Sequence, residues 1–139
     1  MDNIIKEKFE TYPVAAKDQL LKVRDAIFEV AAEESLGKVT ESLKWNEPSY
    51  QSKHGSAIRM DWKDKFPSTI SIYFNCQTTL IDTFREVYRD TFTFVGNREI
   101  VFDISEDLPL EELPILELKA CISMALRYHQ IKHLPLLGA

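Results

Sequence analysis

The chain has 139 residues and a mass of 16.1 kDa, a length that suits one domain of ordinary size. Apolar residues make up 45% and charged residues 28%, proportions that are typical of a globular protein and argue against a disordered or collagen-like chain. The formal net charge of −5 argues against general binding to nucleic acid or to acidic membrane surfaces. We therefore expect a single domain over residues 1–139.

Two further features bear on location. No uncharged apolar run approaches the roughly 20 residues of a membrane span, and residues 1–10 are too charged for the apolar region of a signal peptide. Cys76 and Cys121 lack the C-x-x-C spacing of a redox or zinc site, so we expect two reduced thiols. The sequence predicts a cytoplasmic protein that is not bound to a membrane.

The ends of the chain have helical periodicity. A short apolar pattern begins at Ile4 and ends before Pro13, because the residue before proline is biased away from helix. A long amphipathic helix is predicted from Val14 to Glu34, and a last helix from about Leu110 to His129. The apolar residues predicted to form the buried stripe of this last helix are Leu113, Leu116, Leu118, Cys121, Ile122, Ala125 and Leu126.

The middle of the chain has the period of strands. Residues 56–62 and 69–74 alternate between apolar and polar side chains, which predicts two paired strands joined by a turn at 63–68. A helix from Thr78-Thr79 to about Arg89 follows, with Leu80, Ile81, Phe84 and Val87 predicted to be buried. Strands at 91–95 and 98–102 flank a predicted two-residue turn at Gly96-Asn97. This order predicts an α+β domain with helices on one face of an antiparallel sheet.

The segment from Lys44 to Tyr50 has the most unusual composition. Trp45 and Tyr50 flank a turn that also contains Asn46, Glu47 and Pro48, a set suited to a rigid binding lip. The alternative is that both aromatic residues belong to the core, with their N–H and O–H groups hydrogen-bonded there. The sequence leaves both interpretations open.

Several motifs resemble the YdhG-like family of small bacterial domains of unknown function. The turn Lys44-Trp45-x-x-Pro48-x-Tyr50 and the segments at 62–63, 70–74 and 96–98 carry the resemblance, and residues 41–45, 73–78 and 132–138 resemble one branch of the family. The match covers about residues 8–137. Asn46 departs from the glycine that is common at its position, and it tolerates a left-handed backbone better than most residues.

The resemblance implies a frataxin-like fold, in which N- and C-terminal helices lie on one face of an antiparallel sheet in a two-layer sandwich. It also implies a non-enzymatic protein that delivers iron to an accepting protein. Hard cations favour carboxylate ligands, and the long helix presents four at spacings of seven and four. These candidate metal ligands are Asp18, Asp25, Glu29 and Glu33. An acidic solvated helix face remains the simpler interpretation.

The main alternative is a module that binds a small ligand or a peptide. Where the strand 70–74 leads into the helix near residue 79, free backbone N–H groups favour an anion. The basic side chains that could join this site come from the only part of the chain with a positive net charge. The candidate ligand-binding residues are Trp45, Asn46, Glu47, Tyr50, Arg59, Trp62, Lys63, Tyr73, Cys76 and Arg98. A protein–protein adaptor is a third possibility.

Enzyme chemistry has little support in the sequence. The chain contains no nucleophile elbow, HExxH, Walker motif or dinucleotide fingerprint. His129 and His133 have the spacing of a chelating pair, but a position at a helix C-terminus also explains histidine. His54 is expected in an exposed loop.

Overall fold

The computed structural model describes residues 1–105 and 113–139 of the chain. In these ranges the helices are α1 (Asn3–Glu10), α2 (Val14–Glu33), α3 (Leu80–Tyr88), α4 (Ile115–Leu126) and α5 (Tyr128–Ile131), followed by a 3₁₀ segment at Pro135–Gly138. The strands are β1 (Thr40–Lys44), β2 (Glu47–Gln51), β3 (Ile58–Asp61), β4 (Thr69–Phe74), β5 (Thr93–Val95) and β6 (Glu99–Asp103). The predicted α+β class is confirmed.

The six strands form one antiparallel sheet in the order β1-β2-β3-β4-β6-β5. Sequential strands are neighbours from β1 to β4, as short hairpin connections favour. After β4 the chain passes through α3 and returns as the edge strand β5, so that β6 pairs with β4. The predicted pairing of the strands at 56–62 and 69–74 is confirmed by the partners Met60 and Ile72.

One face of the sheet is apolar and builds the core. Because directly opposed residues in an antiparallel pair share a face, the register places Met60, Ile72 and Ile100 side by side across three strands. None of the three is exposed, and they belong to the same hydrophobic cluster as Leu20 of α2 and Ile122 of α4. The helices therefore bury this face, which the alternating pattern of the sequence predicts.

A charged group ties α2 to the edge of the sheet. Arg24 of α2 donates from Nε to Glu41 Oε2 of β1 at 2.5 Å, and the Tyr50 hydroxyl donates to the same oxygen at 2.8 Å. Burial alone would raise the pKa of Glu41, but the hydrogen bonds from Arg24 and Tyr50 outweigh it and the net pKa is lowered. The Phe28 ring stands edge-on to Tyr50, with their centroids 5.9 Å apart. Tyr50 thus lies on the core face of the sheet and stabilises the fold.

Four details of the sequence prediction are corrected. The strands β1 and β2 were not predicted. The turn at Gly96-Asn97 spans three residues, because Val95 pairs with Glu99, and Gly96 has a left-handed φ of 60°. Leu116 is exposed, since it lies two residues from Leu118 and therefore on the opposite side of α4. Val87 is partly exposed in the last turn of α3.

The predicted start of the last helix at about Leu110 lies outside the described residues. Within them, α4 begins after Pro114, whose ring tolerates a position at a helix start. The helical stretch is interrupted at Arg127, where φ is −112° and ψ is 8°, and α5 follows as a separate short helix. None of the described helices has the length and apolar content needed to cross a membrane.

Candidate functional site

A tight hairpin presents Trp45 to solvent. Two residues, Trp45 and Asn46, connect β1 to β2, and both have positive φ, 55° and 61°. This is the type I′ pattern that matches the twist of paired strands, although glycine or asparagine is usual there. The Trp45 side chain is 87% exposed, so a bulky aromatic residue takes a left-handed backbone and contributes nothing to the core. Asn46, which tolerates a left-handed backbone better than most residues, adopts one here.

The second face of the sheet is polar, and we call it the polar face. The register lines up Ser49 of β2, Arg59 of β3, Tyr73 of β4 and Glu99 of β6 in a row across this face. These side chains alternate with the apolar residues that point into the core. The polar face thus presents side chains suited to recognising a charged ligand.

A depression of about 350 Å³, here called the basic pocket, lies on the polar face beside the hairpin turn. Its charged side chains are Lys44, Arg59 and Arg98, and none of the described residues that line it carries a carboxylate. Among the described residues, Lys44 and Arg98 have no ion-pair partner. The remaining lining residues are Trp45, Ser49, Ala57, Tyr73, Phe74, Asn75 and Cys76.

Glu47 holds two of the cations of the polar face in place. Its Oε1 lies 3.6 Å from Arg59 Nε, and its Oε2 accepts a hydrogen bond from Lys63 Nζ at 3.1 Å. Partial burial alone lowers the pKa of Lys63, but the hydrogen bond to Glu47 and the nearby Tyr73, Glu47 and Asp61 raise it on balance. Glu47 is itself buried. It was predicted as a ligand-binding residue, and its position makes it a support for the residues that can meet a ligand.

Tyr73 lies at the centre of the polar face. Burial raises the pKa of its hydroxyl, and the charge of Glu99 acts in the same direction. The hydroxyl therefore stays protonated at neutral pH and can donate a hydrogen bond. Lys63 Nζ lies 5.5 Å from the centroid of the ring, within the range of a cation–π contact.

Several amides at the start of α3, where the sequence predicts an anion site, have acceptors within the chain. The Gln77 amide donates to Asn75 Oδ1, and the Leu80 amide donates to Thr78 Oγ1. The Thr79 amide donates to the Tyr128 hydroxyl at 3.2 Å. The structure brings Arg59, Arg98 and Cys76 together in one pocket, where side chains are the charged donors.

The other predicted ligand-binding residues are distributed over the molecule. Tyr50 is corrected, because it lies on the core face and its hydroxyl is bonded to Glu41. Trp62 does not line the basic pocket, and its indole N–H donates to the Pro67 carbonyl at 3.0 Å. Lys63 lines a neighbouring depression of the polar face. Asn46 shapes the hairpin turn.

The structure disperses the predicted metal ligands. Asp18, Asp25, Glu29 and Glu33 are all exposed on α2. Lys119 Nζ of α4 lies 2.8 Å from Glu29 Oε2 and 3.4 Å from Glu33 Oε1, so that an amine already neutralises two of the four. In residues 1–105 and 113–139, no three histidine, cysteine or acidic side chains are arranged to hold a metal ion.

The three histidines are exposed, and the two cysteines are free thiols. His54 is exposed, as predicted, and its carbonyl accepts a hydrogen bond from the His129 amide at 2.9 Å. His129 and His133 are exposed near α5. Both cysteines are free thiols: Cys76 is half-buried in the basic pocket, whereas Cys121 is fully buried in the core, where burial raises its pKa.

Sequence reasoning missed several residues of the polar face. Lys44 and Ser49 belong to strands that were not predicted, and Phe66 lies in the turn between β3 and β4. The signal that could have found Lys44 is the alternation that places it on the same face as Ser42, two residues earlier. A type I′ turn at Trp45-Asn46 would have fixed that register.

No family model matches this chain, and neither a curated protein nor a solved structure matches it. The case for a function therefore rests on the geometry of the basic pocket and its neighbours.

Proposed function

We propose that this chain is a binding protein whose ligand is a small organic anion held in the basic pocket. The supporting observation is the convergence of Lys44, Arg59 and Arg98 around one depression that lacks a carboxylate among its described lining residues. Two of these cations, Lys44 and Arg98, have no ion-pair partner among the described residues, and Arg59 shares Glu47 with Lys63, so an external anion would stabilise the cluster by supplying the missing negative charge. Arginine adds the planar donor geometry that matches a carboxylate or a phosphate.

Two neighbours of the cations fit this function. The protonated Tyr73 hydroxyl supplies a neutral donor, and the exposed Trp45 ring supplies an apolar wall. Ligand sites combine such apolar surfaces with a few convergent polar groups. Because Glu47 shares its charge between Arg59 and Lys63, Arg59 keeps part of its positive charge for a ligand.

The test is calorimetric titration with acetate, benzoate, citrate and inorganic phosphate. We expect Arg59→Gln to weaken binding of the preferred anion about tenfold, and Lys44→Gln or Arg98→Gln to weaken it about threefold each. Lys53→Gln is the matched control, because Lys53 is exposed in the β2–β3 loop and does not line the pocket. Absence of binding for all four anions, or equal losses in the control, would contradict the proposal.

Iron delivery, which the resemblance to the YdhG-like family and to frataxin-like folds implies, is a second hypothesis. The observation that favours it is the exposure of Asp18 and Asp25, which have no ion-pair partner among the described residues. Asp25 and Glu29 also border a depression of about 310 Å³. Anaerobic calorimetric titration with ferrous ion tests it: loss of binding in Asp25→Asn/Glu29→Gln would support the hypothesis, and no binding by the wild type would reject it.

A further inference from the structure

A second depression adjoins the basic pocket on the polar face, and we call it the adjoining groove. It has a volume of about 530 Å³ and shares Tyr73 and Arg98 with the basic pocket. Its apolar lining comes from Phe66, Val95 and Val101. The two depressions thus form one continuous surface with a cationic part and an apolar part.

Three of the four charged side chains that line the adjoining groove have partners, and the fourth is Arg98, which it shares with the basic pocket. Lys63 Nζ lies 3.1 Å from Glu47 Oε2 and 4.0 Å from Asp61 Oδ2, and the Ser71 hydroxyl donates a hydrogen bond to Glu99. Beyond Arg98, these pairs leave the groove with little need for an ionic ligand. Its apolar side chains are what it offers to a ligand.

Exposed apolar residues border both depressions. Trp45 is 87% exposed at the basic pocket, and Phe66 and Val95 are 58% and 50% exposed at the adjoining groove. They come from three separate hairpins or turns, and the sheet brings them to one face. Exposed apolar side chains that border a depression among polar groups are typical of a binding surface.

The register gives the length of this surface. Arg59 is paired with Tyr73, and Val101 is paired with Ser71, so that Arg59 and Val101 are two strands and two residues apart. With the usual strand spacing and rise, this separation is roughly 12 Å. A ligand that reaches from the cations to Val101 therefore has an extended apolar body attached to its charged group.

We propose that the ligand is an amphipathic organic anion, with its charged head in the basic pocket and its apolar body in the adjoining groove. The inference rests on the proposed function and names the class of ligand. A medium-chain fatty acid and an alkyl phosphate share this chemistry. Charge complementarity places the head in the basic pocket, because Lys44, Arg59 and Arg98 line it without a carboxylate among its described lining residues. Of these three cations only Arg98 also lines the adjoining groove, where Asp61, Lys63 and Glu99 have partners and the apolar residues lie.

The experiment is a chain-length series measured by calorimetry. Acetate, butanoate, hexanoate and octanoate are titrated below their micelle-forming concentrations, with the corresponding alkyl phosphates as a second arm. We expect the affinity to rise about two- to fourfold for each added methylene until the groove is filled. A steeper response in one arm identifies the preferred head.

Isosteric variants test whether the adjoining groove causes the rise in affinity with chain length. Val95→Thr/Val101→Thr keeps the side-chain shapes but places hydroxyl groups in the groove, and we expect octanoate binding to weaken about tenfold and the chain-length slope to flatten. Val87→Thr is the matched control, because Val87 is partly exposed on α3 away from the polar face. An unchanged slope in the double variant would overturn the inference.

Cys76 provides an independent readout of occupancy at the head of the site. It lines the basic pocket and is partly exposed, whereas Cys121 is fully buried and serves as the internal control. We expect octanoate to slow alkylation of Cys76 by iodoacetamide in proportion to its binding. Alkylation at an unchanged rate under saturating octanoate would place the ligand elsewhere and overturn the inference.

The outcomes separate the two proposals. Equal affinity for every member of the series leaves the small-anion function standing and overturns the amphipathic ligand. No binding by any member overturns the amphipathic ligand, and if benzoate, citrate and inorganic phosphate also fail to bind, both proposals are overturned. A stable dimer that buries the polar face, detected by light scattering and dissociated by Val95→Lys, would make a second copy the occupant and overturn the inference.

Discussion

The carboxylate of Glu47 lies between two cations of the polar face, with Oε1 3.6 Å from Arg59 Nε. Arg59 comes from β3 and Glu47 from the start of β2, so that the pair links neighbouring strands beside the hairpin turn. The pair has two consequences of opposite sign. It stabilises the fold by compensating a buried carboxylate, and it reduces the positive charge that Arg59 presents to an anion.

Glu47→Gln therefore separates stability from binding. The amide keeps the shape of the side chain but loses its charge, so we expect the free energy of unfolding to fall by about 1–2 kcal/mol. We expect anion affinity to rise about three- to tenfold, since Arg59 and Lys63 are no longer neutralised. Urea unfolding and calorimetry measure the two effects. Glu86→Gln, at an exposed position of α3, is the control, and a loss of affinity in Glu47→Gln would contradict the arrangement.

Tyr50 and Tyr73 form a matched pair of tests for the two faces of the sheet. The buried Tyr50 hydroxyl donates to Glu41 at 2.8 Å, so we expect Tyr50→Phe to lower the free energy of unfolding by about 1–2 kcal/mol and to leave anion affinity unchanged. Tyr73→Phe should do the reverse, with weaker binding and a stability change within about 0.5 kcal/mol. Equal effects of both variants on binding would show that the faces are not independent.

The Glu41 carboxyl gives stability a defined pH dependence. Its pKa is lowered in the folded protein, so folding favours the ionised form, and this contribution is present above its unfolded pKa of about 4.3. The contribution is lost as the pH falls through the folded pKa. We expect urea unfolding measured between pH 6 and about pH 3 to show a decrease that is smaller in Glu41→Gln. A variant with the full wild-type slope would exclude Glu41 as the source.

The strands that the sequence predicted are those in which one face is apolar and the other is polar. In β3 and β4 the apolar residues Ile58, Met60, Ile70 and Ile72 alternate with polar ones, and the pattern fixes both the strands and their pairing. In β2 the sequence does not alternate between apolar and polar residues, because the polar residues Glu47 and Ser49 are buried on the polar face. Pro48 also favours the prediction of a turn, although it lies in β2.

The candidate site was predictable only where local sequence determines position. Cys76 follows a strand that the sequence predicts and Arg98 begins another, and the structure brings both to the basic pocket. Aromatic composition could not tell which face a side chain occupies, so Tyr50 and Trp62 were assigned to a site that they do not line. The adjoining groove depends on the β4–β6 pairing across α3, a long-range contact that no local pattern encodes.

Trp45 is expected to lower the stability of the fold and to strengthen ligand binding. Its φ of 55° is unfavourable for a bulky residue, and its side chain has almost no contact with the core. We expect Trp45→Gly to raise the free energy of unfolding by about 0.5–1 kcal/mol, because the relief of backbone strain exceeds the added freedom of the unfolded chain. The same variant should weaken ligand binding. Asn46→Gly, at the other left-handed position, is the control that changes the backbone without removing the ring.

Lys119 provides the sharpest test of the iron hypothesis. Its Nζ lies 2.8 Å from Glu29 and 3.4 Å from Glu33, so it competes with any cation for these carboxylates. If α2 carries ferrous ion, Lys119→Met should raise the affinity about three- to tenfold, because both ligands become available. Lys38→Met makes the same change in net charge at an exposed position after α2 without contacting either carboxylate. Equal effects of the two variants in anaerobic calorimetry would attribute the change to the overall charge and remove these residues as the iron site.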